Sequence, residues 1–165
     1  MIHVKALPGT PRNKLSIEEI VECALNEVEI YKCSGVDGIL IENMNDLPYI
    51  QAKDFGPEVV ANMTRIASEV RKILSPKLPC GIQILAGGNK EALAVSQACG
   101  LQFIRCEGYV FSHVADEGWM DSCAGELLRY RKTIGCENVS VFVDIKKKHR
   151  KSPIRRKYFL TVLIS

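Results

Sequence analysis

At 165 residues and 47% hydrophobic content, the chain is long enough for one domain with a substantial core. A mean hydropathy of +0.02, with no run near ~18 apolar residues, excludes a transmembrane helix. The formal charge of +3 is uneven: residues 146–165 hold eight Lys or Arg and no acid, which leaves 14 basic against 19 acidic residues in 1–145. A mildly acidic body argues against specific nucleic-acid binding.

The first unit reads as a strand over residues 2–6, with no basic n-region and no long apolar segment. No secretory signal is expected, and the location is expected to be cytoplasmic or organellar. Seven cysteines are scattered along the chain without a C-x-x-C pair. They read as small hydrophobes of a reducing compartment, and neither a disulfide framework nor a cysteine-held zinc site is expected.

Two prolines and a glycine at positions 8, 9 and 11 make a structured loop. Ser16 followed by Glu19 predicts a capping box. Ile17, Ile20, Val21, Ala24, Val28 and Tyr31 then fall at helical spacing, and Gly35 ends the helix. A second strand is expected over residues 36–42, running out into Glu42, Asn43, Asn45 and Asp46 before Pro48. Pro57 suits the first position of a second helix, whose apolar face includes Val59, Met63, Ile66 and Val70. A third strand is predicted over 81–86, and Asn89 is expected to start a helix that Gly100 closes. A fourth strand covers 102–106, and a longer loop follows from Glu107 to Gly118. The spacing then predicts a helix from about Trp119 to Ile134, ended by Gly135, and a fifth strand over 139–144.

This alternation predicts parallel strands joined by right-handed helical crossovers. A doubly wound sheet is complete with five such strands, whereas a (β/α)8 barrel takes roughly 250 residues. Periodicity alone leaves both open.

The residues themselves favour the barrel. The segments IHVKALPGTP (2–11), GVDGILIEN (35–43) with DLP (46–48), FIR (103–105), ELLRYR (126–131) and DIKKKH (144–149) resemble the BtpA family, in register over residues 1–149. The resemblance implies an α/β fold: an incomplete (β/α)8 barrel of the TIM type with about five parallel strands and four helices. It implies similarity to phosphate-binding barrels, and hence a small anionic or phosphorylated ligand at the C-terminal mouth. One cyanobacterial member is implicated in photosystem I biogenesis or stability, so an assembly or stability factor for a membrane complex is the alternative. The family brings no established reaction and no known cofactor. Residues 150–165 form a basic, then apolar tail outside the family pattern, and the chain is expected to be a truncated form. A fragment of this kind is expected to lack function alone and to self-associate through open sheet edges.

In a barrel the ligand meets side chains at the C-terminal strand ends. The catalytic candidates are Glu42, Asp46 and Asp144, as base or metal ligand. The ligand-binding candidates are His3, Lys5, Asn43 and Arg105, with Glu107 nearby. The competing reading is a layer of salt bridges and turn caps that fills the mouth. Gly87 and Gly88 before Asn89 suit a phosphate cradle or an ordinary helix start. No G-x-G-x-x-G and no G-K-[ST] is present.

Overall fold

Strand pairs that run parallel need long crossovers, and the four helices supply them. The computed structural model describes residues 1–144. In chain order these form β1 (Ile2–His3), α1 (Ile17–Cys33), β2 (Ile39–Glu42), a 3-10 turn (Ala52–Asp54), α2 (Pro57–Ile73), β3 (Cys80–Gln83), α3 (Asn89–Cys99), β4 (Phe103–Cys106), β5 (His113–Ala115), β6 (Gly118–Met120), α4 (Ala124–Thr133) and β7 (Ser140–Val143). The expected tail at 150–165 lies outside the described residues.

The main sheet has the order β1-β2-β3-β4-β7, with every neighbouring pair parallel. The order never reverses, so right-handed crossovers all fall on one face. Accordingly α1 packs on α2, α2 on α3, and α3 on α4. A doubly wound sheet would need a reversal and a second helical layer. The architecture is therefore that of a partial (β/α)8 barrel, and the described strands do not close into a ring.

Register divides the two faces. Ile2, Ile41, Ile82, Ile104 and Val141 pair in one row across all five strands. All five are buried against the helices, where Ile20, Val28, Met63, Ile66 and Leu93 meet them in a single core. Burial of each such side chain is worth about 1.5–3 kcal/mol. The pleat sends the adjacent residues the other way. His3, Glu42, Gln83, Arg105 and Phe142 therefore share the face away from the helices. Gly81 on that face makes room for Phe103, since a Cβ there would lie 2.3 Å from the ring carbons. Phe103 in turn meets Phe142 edge-on, with centroids 5.0 Å apart.

Helix ends follow the local chemistry. Ser16 and Glu19 form the reciprocal capping box, with the Ser16 N–H donating to Glu19 at 2.8 Å. Pro57 occupies the first turn of α2. Gly100 closes α3 with φ of 64°, the left-handed conformation that glycine adopts without Cβ strain.

One expectation is corrected. Trp119 is not in a helix; it stands in the antiparallel hairpin of β5 and β6, and α4 begins only at Ala124. Residues there alternate at period two: His113 and Met120 face in, Val114 and Trp119 face out. Met120 packs on Leu85 and Ala86, and the Gln51 amide donates to the Glu117 and Trp119 carbonyls at 2.8 and 3.1 Å. These contacts fold the hairpin over the C-terminal strand ends.

Candidate functional site at the C-terminal strand ends

Parallel strands leave their last backbone groups without ladder partners, and here asparagine side chains take them. Asn43 follows β2 and is buried. Its Oδ1 accepts the Leu85 N–H at 2.7 Å, and its Nδ2 donates to the Leu85 carbonyl at 3.1 Å. Asn89 repeats the arrangement one strand on. Its Oδ1 accepts the Glu107 N–H at 3.1 Å, and its Nδ2 donates to the Glu107 carbonyl at 2.7 Å. Each amide thus reads both peptide groups of one residue beyond the next strand. Asp46 completes the tie. Its Oδ1 accepts the Leu7 N–H and its Oδ2 accepts from Asn43, both at 2.8 Å. The exits of β1, β2 and β3 are bound together by Asn43 and Asp46.

Both Asp46 oxygens are acceptors in this geometry, so Asp46→Asn would turn an amide donor against another donor. We expect it to cost about 1–2 kcal/mol at neutral pH by urea unfolding, although it removes a buried charge. Burial raises the Asp46 pKa above its ordinary 3.8, against the opposing pull of the Leu7 and Asn43 bonds. A raised carboxyl contributes stability that is full below the unfolded pKa and is lost as pH rises through the folded one. The gap between native chain and variant should therefore widen on acidification from pH ~7 to ~4. A gap that narrows would contradict this.

Glu107 settles the glycine pair. Its Oε2 accepts the Gly87 N–H at 2.8 Å, so a carboxylate of the chain itself occupies the start of α3. Tyr49 marks the acidic side of the mouth. Its pKa is pushed up to about 12 by burial first, then by Glu42, Asp46, Glu107 and Glu117.

On the face away from the helices, the predicted residues fall into two groups. His3 is exposed at the β1 edge, with Nε2 3.9 Å from Glu42 Oε2. Lys5 is exposed just beyond it. Arg105 is half-buried and donates through Nε to Asp144 Oδ1 at 2.9 Å. β2 and β3 separate the strands that carry His3 and Arg105, about 14 Å at ordinary strand spacing. Glu42 and Asp144 are likewise set apart by β3 and β4.

Gln83 lies between the groups, and no sequence motif points to it. It is paired in register with Glu42 and is fully buried. Among the described residues, neither its amide nitrogen nor its oxygen has a hydrogen-bond partner. Buried polar atoms of this kind are rare and call for an explanation. No group of three or more His, Cys, Asp or Glu among the described residues is placed to hold a metal ion. No described helix is long and apolar enough to cross a membrane.

A singly wound parallel sheet with its polar groups at the C-terminal ends defines a protein of the (β/α)8 type. Sequence comparison makes the assignment narrower: the chain belongs to the BtpA family, whose model matches residues 1–163. An uncharacterized mitochondrial protein of Caenorhabditis elegans is 50% identical over 152 residues, covering 90% of this chain and 54% of that protein. An uncharacterized protein of Archaeoglobus fulgidus is 34% identical over 149 residues, covering 90% and 58%. The photosystem I biogenesis protein BtpA of Synechocystis is 31% identical over 149 residues, covering 90% and 50%. The chain thus spans about half the length of the curated relatives it matches. No solved structure matches it.

Proposed function

We propose that this chain contributes the binding face for a small anionic ligand at the C-terminal end of its sheet. Gln83 carries the reading. A buried amide without partners among the described residues costs about 1–3 kcal/mol, which a ligand that displaces the side chains covering it, and offers both a donor and an acceptor, would recover. Its neighbours fit such a ligand. Arg105 on β4 supplies a cation for the anionic group, with Asp144 holding the guanidinium in place. Glu42 on β2 accepts a proton donor from the opposite side. Lys5, at the β1 edge, raises the local anion concentration, and neither it nor His3 touches a ligand centred on Gln83. Asn43 and Asp46 act by positioning the loops, because their polar atoms are engaged with backbone and with each other. A reaction, with Glu42 or Asp144 as base, belongs to the whole protein. The assembly role in the name of the Synechocystis relative has no residue here that argues for it, and it stays with that protein.

Titration of isotope-labelled chain with inorganic phosphate and with a simple sugar phosphate tests this by NMR. We expect shifts at the Gln83 side-chain amide and the Arg105 backbone amide. Arg105→Ala should weaken binding by at least about tenfold, the loss of one charge-assisted contact. Shifts that avoid β3 and β4, or binding unchanged in the variant, would refute the reading.

A further inference from the structure

A second cluster lies outside this face, where the start of α4 meets the starts of α3 and β4's exit. Cys123 immediately precedes α4 and Cys106 ends β4. Their sulfurs are 3.9 Å apart. Cys106 is fully buried, whereas Cys123 lines an open cleft of about 290 Å³ with Gly87, Asn89, Lys90, Glu126 and Leu127. The Asn89 Nδ2 donates to Cys123 Sγ at 3.2 Å. We propose that Cys123 and Cys106 are a peroxide-reactive dithiol, with Cys123 the attacking sulfur and Cys106 the resolving one.

The asymmetry of the pair supports these roles. Cys123 faces the cleft, where the Asn89 amide donates to its sulfur; the Cys106 sulfur stands 3.9 Å away, and both thiols lie within reach of the Glu107 carbonyl. The Cys106 contact first, then the Asn89 bond, pull its pKa down, against burial and the Glu126 charge. Cys106 is pushed up, first by its bond to Cys123, then by burial and by Glu107 and Asp144. Lys53 and Lys90 line the cleft with the carboxylates Glu91 and Glu126, and Lys90 is ion-paired with Glu126. A thiolate therefore forms on the sulfur that a small oxidant can reach.

The chemistry closes with a hydroperoxide as oxidant. The Cys123 thiolate attacks one peroxide oxygen; the S–O bond forms, the O–O bond breaks, and the other oxygen leaves as alcohol or water with a proton. Cys123 is then a sulfenic acid. Cys106 sulfur attacks Cys123 sulfur; the S–S bond forms, the S–O bond breaks, and the Cys106 proton joins the departing hydroxide as water. Two thiols give two electrons to one peroxide. The sulfurs need to close from 3.9 Å to about 2.05 Å.

The test uses the whole chain. It is treated with hydrogen peroxide, remaining thiols are alkylated, and the unreduced digest is mapped by mass spectrometry. We expect a peptide joined through Cys106 and Cys123, with the exposed Cys33 alkylated. Cys106→Ser should leave Cys123 as a sulfenic acid that dimedone traps. In the untreated native chain, the Cys123 alkylation rate should rise with a midpoint below the about 8.5 of an ordinary thiol. A midpoint at or above the ordinary value overturns the proposal without any variant having to fold. So does peroxide treatment that leaves both cysteines alkylated while others oxidise.

Discussion

Asn43→Ala should lower the stability of the chain by about 3 kcal/mol, the sum of a few buried polar groups left without partners. The substitution strips three hydrogen bonds at once. The Leu85 N–H and carbonyl lose their shared partner, and Asp46 Oδ2 loses its donor. Leu85 is buried, so its peptide has little recourse to solvent. Water entering the space left by the amide recovers part of the loss, which keeps the figure from being larger. For a domain of this size the melting temperature should fall by roughly 6–12 °C. Asn43→Asp separates the contributions. It keeps the acceptor for Leu85 but sets a second carboxylate against the buried Asp46. At neutral pH it should be as damaging as alanine, and acid should relieve it as one carboxyl takes a proton. Urea unfolding of both variants at two pH values decides the matter. A loss under about 1 kcal/mol for Asn43→Ala would mean that the strand exits are held by something other than this amide.

That prediction also shows where the sequence was legible. Local signals carried through: the Ser16–Glu19 box, Pro57 in the first turn of α2, and Gly100 closing α3 all depend on residues within a few positions of each other. The alternation of elements gave a parallel α/β sheet, and resemblance favoured the barrel order over the doubly wound one. The hairpin escaped because β5 and β6 have three residues each, too few for a periodic pattern to outweigh the helical one that follows. At the mouth, polar residues were found but their engagements were not. A carboxylate or amide after a strand looks the same in sequence whether it bonds a backbone or a ligand. Asn43 and Asp46 bond backbone 42 and 39 residues away, a separation no local rule reaches. Gln83 carries no local signal, since one glutamine inside an apolar strand forms no motif. Only its register beside Glu42 and an amide without a partner among the described residues give it weight. Cys106 and Cys123 were scattered thiols until the turn into α4 brought their sulfurs together.

Gln83→Leu is the substitution in which stability and binding should part. Leucine is close in volume to glutamine and carries no polar atoms. If the amide is without partners, the change removes two buried unsatisfied groups and adds apolar contact with the half-buried Phe103 and Leu40 face. Replacing such a group by an apolar one of similar shape is neutral to stabilising, and we expect a gain of about 1–2 kcal/mol in urea. The same change removes the ligand's central donor and acceptor. Binding of the sugar phosphate used in the titration should then fall by at least about tenfold, since a site built for hydrogen bonds rejects the loss strongly. Gln83→Glu serves as the control. It keeps the shape but puts a second carboxylate beside Glu42, so it should lose both stability and anion binding. Ordered water satisfying the amide predicts otherwise: Gln83→Leu would then be destabilised, because the water would lose its partners and stay trapped against leucine. A stable Gln83→Leu that still binds the sugar phosphate would remove Gln83 from the site. A stable variant that no longer binds would mark the amide as a residue kept at a cost to the fold for the sake of a ligand.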